Sequence, residues 1–130
     1  MMLADGAHQA DGKLYVLGGQ FDTIGAKNFP VVHAMLAMVI VIRVEYPEAQ
    51  IEHRWQLELR TEDGEPVGVG ASGQFTAGHA AEAKKGDPTF IPVAIPFQGT
   101  RFDGPGHFEW RLSINDDQVV RSLPLVVKKV

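Results

Sequence analysis

From Gly106 to Ile114 the chain alternates without a break. Phe108, Trp110, Leu112 and Ile114 are separated by Glu109, Arg111 and Ser113, with His107 before them and Asn115 after. A period of two puts four large apolar side chains on one face of a strand and polar ones on the other. Asn115-Asp116-Asp117 is turn chemistry, because short Asx side chains tolerate the backbone angles of a tight reversal. The return leg runs from Gln118 through Leu123-Pro124-Leu125-Val126-Val127. This is a hairpin with one dry face. A hairpin alone is marginal in water, so the rest of the chain must supply the sheet that covers it.

The preceding residues read as that sheet. Leu3-Ala4 suggests a short first strand, with turn signals at Asp5-Gly6 and Asp11-Gly12. Lys13 to Leu17 is rich in strand formers and is broken by Gly18-Gly19. Gln20 to Ile24 is expected to pair back against it, and Gly25 to Pro30 to be a loop. His33 to Glu45 is the longest strand candidate, closed by a turn at Tyr46-Pro47-Glu48-Ala49. Its β-branched run Val39-Ile40-Val41-Ile42 and its lack of a polar face favour strand over helix.

Ile51 to Thr61 alternates with Ile51, His53, Trp55, Leu57 and Leu59 on one face. Asp63-Gly64 is a hairpin turn. Val67, Val69, Ala71, Gly73 and Phe75 line the return strand, which its glycines weaken or bulge. Ala77 to Gly86 is a loop of small and polar residues with a candidate helical turn at Ala80 to Lys84. Thr89 to Phe97 is a further strand, followed by a loop from Gln98 to Pro105. Pro92 and Pro96 share one parity, so both delete amide donors along the same side. That strand is expected at a sheet edge. The sum is about eight strands in one domain spanning residues 1–130. The fold class is all-β, an antiparallel β-sandwich, immunoglobulin-like in outline.

Composition sets bounds on partners. The chain has 130 residues and a formal net charge of -4, with only Lys84-Lys85 and Lys128-Lys129 as basic pairs. A phosphate backbone needs clustered Lys and Arg, so nucleic acid is excluded as the main partner. There are no cysteines. That tilts the reading towards a reducing, cytoplasmic and bacterial setting. The apolar run from Val31 to Ile42 falls short of the roughly 20 residues that span a bilayer. The first residues, Met1 to Gly6, lack the basic and apolar regions of a signal peptide.

Leu3-Ala4-Asp5, Gly12-Lys13-Leu14-Tyr15-Val16-Leu17-Gly18-Gly19, Arg54-Trp55-Gln56-Leu57-Glu58-Leu59 and Phe108-Glu109-Trp110-Arg111-Leu112 follow one another in order along the chain. With them the chain resembles a family of uncharacterised bacterial proteins common in actinobacteria. The resemblance implies a small all-β domain with no assigned activity, and it supplies no catalytic residues.

The motifs that carry chemistry are missing. His8, His33, His53, His79 and His107 lie far apart, without the short spacings of a zinc site. His53 reads as a half-buried residue near a strand end. Ser72, Ser113 and Ser122 sit in no nucleophile elbow. Glu62-Asp63 and Asp116-Asp117 read as solvated turn charge, and Asp5 and Asp11 match no calcium loop. Gly18-Gly19 has no following helix to cradle a phosphate. Trp55 and Trp110 are both in the apolar phase, which makes them core residues instead of a sugar platform. No catalytic, cofactor-binding or metal residue is assigned, and no cofactor.

The leading reading is therefore a non-enzymatic interaction or assembly module. A small-molecule or carbohydrate-binding sandwich is the alternative. One feature bears on assembly. The strand through Val32 to Val44 is apolar on both faces, with Leu36, Met38, Ile40 and Ile42 on one and Met35, Ala37, Val39 and Val41 on the other. A sandwich strand needs only one such face. Either the chain's own loops, 25–30 or 77–86, or a second subunit must cover the other. The expectation is a two-fold homodimer, or an unknown protein partner, through Met35, Ala37, Val39 and Val41.

Overall fold

The computed structural model describes residues 1–79, 84–116 and 118–130. Its strands are β1 (Met2–Ala10), β2 (Lys13–Gly19), β3 (Thr23–Ala26), β4 (Val31–Val44), β5 (Glu52–Thr61), β6 (Pro66–Thr76), β7 (Thr89–Phe102), β8 (Gly106–Ile114) and β9 (Val119–Lys129). A single 3-10 turn, Tyr46–Glu48, joins β4 to β5. Two sheets result, ordered β2-β1-β4-β7 and β3-β9-β8-β5-β6. The five-stranded sheet curls as a half-barrel. Among the described residues no helix is long and apolar enough to cross a membrane.

Both sheets feed one core. Leu36, Met38, Ile40 and Ile95 of the first sheet meet Leu57, Leu59, Trp110, Leu112 and Leu125 of the second. The alternation of β8 sets the register. Leu112 stands opposite Leu57 and Trp110 opposite Leu59, so cross-strand partners bury the same face. Trp110 is fully buried, and its ring centroid lies 5.2 Å from that of Phe97 on the opposing sheet. Trp55 is in the same phase but only half-buried. It lies over Gly73, its partner on β6, where an added Cβ would fall 2.6 Å from the indole nitrogen.

Several boundaries differ from the sequence reading. Nine strands form among the described residues. Asp5-Gly6 does not turn, and β1 runs through it to the Asp11-Gly12 turn, where both residues take positive φ (52° and 73°). Gln20 to Ile24 does not pair with β2. Thr23–Ala26 instead lies parallel to β9, so the five-stranded sheet is not purely antiparallel. Gly18-Gly19 ends β2 and lets the chain cross to the other sheet. Gly18 has φ 59°, and a Cβ there would strike the Asp5 carboxylate. β7 continues past Phe97 to Phe102 because β4 extends equally far and pairs with it throughout. The candidate helical turn at Ala80 to Lys84, except Lys84, and Asp117 of the Asn115-Asp116-Asp117 turn lie outside the described residues.

β7 is a sheet edge with β4 as its one partner among the described strands. Pro92 stands opposite Val41 and Pro96 opposite Ala37, in an unshifted register. Neither can donate to β4, so their donorless sides turn to the free edge.

The β1–β2 hairpin is the feature least expected. β1 pairs with β4 only over Met2–Ala4 and then continues paired with β2 alone. Yet both β1 and β2 come within 8 Å of β7, on the far side of β4. Strands lying flat with β4 between them would stand about 10 Å apart. The hairpin therefore leaves the sheet plane and arches over its outer face.

Candidate functional site

The outer face of β4 carries the four residues that the sequence singled out, and they do not form one exposed patch. Ala37 and Val39 are buried (1% and 3% exposed), whereas Met35 and Val41 are open (49% and 53%). The arching hairpin lies over this face. Met35 Sδ is 3.8 Å from where a Cβ on Gly6 would stand.

A more developed site lies at the end of the two sheets where β4 passes to β5 and β8 turns into β9. There the sheets enclose an open cleft of about 880 Å³. Ile40 and Ile42 of β4 form one wall, Leu112 and Ile114 of β8 the other, and Phe75 of β6 lies behind His53 with ring centroids 5.3 Å apart. Arg43, Glu48, Asn115, Gln118 and Arg121 supply the polar lining.

His53 is more buried than a strand-end residue is expected to be, at 8% exposed. Its Nε2 is 2.7 Å from the Glu48 carbonyl and its Nδ1 is 2.9 Å from Asn115 Nδ2. A carbonyl only accepts, so Nε2 carries the proton. Nδ1 is then the acceptor and the Asn115 amide the donor. Both ring nitrogens of this neutral tautomer are committed.

Asn115 completes the arrangement. Its Oδ1 accepts from the Arg54 backbone N–H at 2.9 Å, and its own N–H donates to the Arg54 carbonyl at 2.7 Å. Its φ of 57° is left-handed, a conformation Asn tolerates better than most residues. The Arg54 guanidinium also pairs with Asp116. The capping box of the 3-10 turn, in which Glu48 accepts from the Glu45 N–H, positions the Glu48 carbonyl. The turn, the start of β5 and the β8–β9 turn are thus tied together through one imidazole. At the mouth, burial first and the Arg121 charge second hold the Met1 α-amine below its ordinary value.

The buried imidazole at the cleft is spent on structure, with both ring nitrogens held by the chain itself. Among the described residues no three His, Asp or Glu side chains converge as metal ligands. The exposed rings, Tyr15 and Phe90, stand outside the cleft, Phe90 beneath the Arg43 guanidinium at 5.9 Å.

Sequence reasoning singled out His53 but missed Asn115, Glu48 and Arg121 as its companions. Asn115 read only as a turn residue. For Arg121 a signal existed. Counting back by twos from Val127, Leu125 and Leu123 places it in the inward phase.

A family model described as a family of unknown function (DUF6941) matches residues 1–128. No curated protein and no solved structure matches the chain.

Proposed function

The chain belongs to that family of unknown function, and we propose that it is a non-enzymatic binding module whose cleft at the β4–β5 and β8–β9 end holds a small molecule. The observation that carries this is the cleft itself. About 880 Å³ with apolar walls and a few placed polar groups falls within the range of small-molecule sites. The commitment of both His53 nitrogens to Glu48 and Asn115 favours binding over acid–base chemistry there.

An immunoglobulin-like outline supports the same reading. If β4, β5, β6, β7, β8 and β9 stand for strands B, C, C′, E, F and G, then B pairs with E, and G, F, C and C′ are neighbours in that order. The cleft then lies at the end where the B–C and F–G loops meet, which variable domains use for binding. This support is analogy of fold. The chain departs from the immunoglobulin pattern in having no cysteines and in the β1–β2 hairpin. A cytoplasmic setting in a bacterium, with an actinobacterial source, accords with the cysteine-free composition.

The test is a fragment screen by amide chemical shift on the full chain. Hits should perturb Ile42, His53, Asn115 and Arg121 together. A screen whose hits all map elsewhere would overturn the reading.

Self-association is the second reading. It rests on Met35, Val41 and Phe90, apolar side chains left exposed on the outer face of β4 and β7. With the β7 edge blunted by proline, a second copy would have to pack face to face, most simply across a two-fold. Light scattering at micromolar concentration decides it. A dimer mass lost on Val41→Asp supports assembly, and a monomer mass ends it.

A further inference from the structure

We propose that the cleft takes a monocarboxylate with an apolar body, the carboxylate held by the guanidinium of Arg121; this rests on the small-molecule reading above. The placement of Arg121 is the starting point. On β9 the inward phase runs Val127, Leu125, Leu123 and then Arg121, so a cation occupies the position where the core pattern would continue. Arg121 stands opposite Leu112 on β8. Cross-strand partners in an antiparallel pair emerge on the same face. Leu112 is 4% exposed on the inner face, so Arg121 emerges on that face too, and it lines the cleft.

Its charge is also unlike the others. The chain has six arginines. Arg43, Arg54, Arg60, Arg101 and Arg111 each pair with a carboxylate within 4 Å. Among the described residues Arg121 alone has no such partner. Two of the other charged groups lining the cleft are engaged elsewhere. Arg43 is engaged by Glu45, and Glu48 turns Oε1 to the Glu45 amide.

The ligand class follows from this arrangement. A single guanidinium forks two N–H groups onto a carboxylate, which matches one planar anion. The walls beyond it, Ile40, Ile42, Leu112 and Ile114, ask for hydrocarbon. An anion without an apolar body would leave them wet, and a neutral apolar molecule would leave Arg121 without a partner.

Octanoate, octan-1-ol and octylammonium should be titrated into the full chain by calorimetry, with amide shifts recorded alongside. Octanoate should bind tightest and octylammonium weakest, with perturbations at Ile42, His53 and Asn115. Arg121→Gln should weaken octanoate about tenfold, the size of one charge-assisted contact, and leave octanol unchanged. Arg121→Lys should recover part of the loss. Arg121 is exposed, so these variants keep the fold. If octanoate and octanol bind alike and Arg121→Gln changes neither, the carboxylate assignment is overturned while the cleft remains a site. If none of the three probes binds, or all perturb residues outside the cleft, the assignment and the reading beneath it both fail.

Discussion

Asn115 offers the sharpest test of how the cleft is built, because its side chain and its backbone contribute separately. Asn115→Gly keeps the left-handed backbone and deletes two hydrogen bonds, from the Arg54 N–H and to His53 Nδ1. Each is worth about 0.5–1.5 kcal/mol net. Water can reach the Arg54 amide at this exposed turn, which places that bond at the low end. The His53 acceptor is nearly enclosed, so its loss sits higher. With the looser unfolded state of glycine, about 0.4–1 kcal/mol, the total comes to roughly 2–3 kcal/mol. Asn115→Ala deletes the same bonds and forces a Cβ into the left-handed region at φ 57°, costing about 1–2 kcal/mol. Alanine escapes the glycine entropy term, which offsets part of that penalty, and the net leaves it less stable than the glycine variant by roughly 0.5–1 kcal/mol. Urea unfolding at constant m measures both. A glycine variant within about 0.5 kcal/mol of the parent, below one net hydrogen bond, would show that the imidazole lock contributes nothing. An alanine variant as stable as the glycine one would show that the fold does not impose the turn conformation.

Trp110→Ala should cost about 3–5 kcal/mol, and Trp55→Ala clearly less, since only the first ring is fully enclosed; equal losses in chemical denaturation would contradict the half-buried placement. Gly73→Ala should displace the Trp55 ring, cost about 1–3 kcal/mol and shift tryptophan emission to the red. In a Trp55→Ala background that cost should vanish, and a cost that persists would point to the backbone instead of the ring. Replacing Pro92 and Pro96 together by Val restores two donors to the free edge of β7. The variant should remain folded but associate as concentration rises in light scattering, and a persistently monomeric variant would refute the blunted-edge account.

The alternation in β5 and β8 made those strands legible, because each has one wet face and one dry face. Register followed from that pattern, as the opposed pairs Leu57–Leu112 and Leu59–Trp110 show. The proline parity foretold the edge for the same reason. A period-two pattern reports which face is covered, and a proline reports which side is unpaired. What failed was pairing at a distance. Thr23–Ala26 carries no mark that sends it to β9 in the other sheet. Asp5-Gly6 looks like a turn because its composition is that of one, yet β2 pairs across it and holds it extended. The apolar outer face of β4 was expected to need cover from a loop or a second subunit, and Ala37 and Val39 on it are buried whereas Met35 and Val41 are open. The cover came from a hairpin whose Leu14 and Val16 are only half-buried and whose pattern looks no different from that of an ordinary sheet strand.

The cleft was hidden for a related reason. Its residues come mainly from five strands and two turns, and none is unusual locally. His53 follows the phase of Trp55, Leu57 and Leu59, and Arg121 that of Leu123 and Leu125. Each is a polar residue where its own strand calls for an apolar one. Taken singly, either reads as the frayed end of a core face. The register brings them to the same end of the sandwich, where Leu112 and Ile114 still carry the apolar pattern on β8 and Ile40 and Ile42 carry it on β4. A dry core cannot continue across an imidazole and a guanidinium, because each needs partners for its hydrogen bonds. His53 finds them in Glu48 and Asn115, within the protein. Arg121 is exposed and finds no carboxylate among the described residues, and it lines the open cleft beside the apolar walls. A cation without a carboxylate partner among the described residues, set beside unfilled apolar surface, is what separates the cleft from the loose end of an ordinary sandwich.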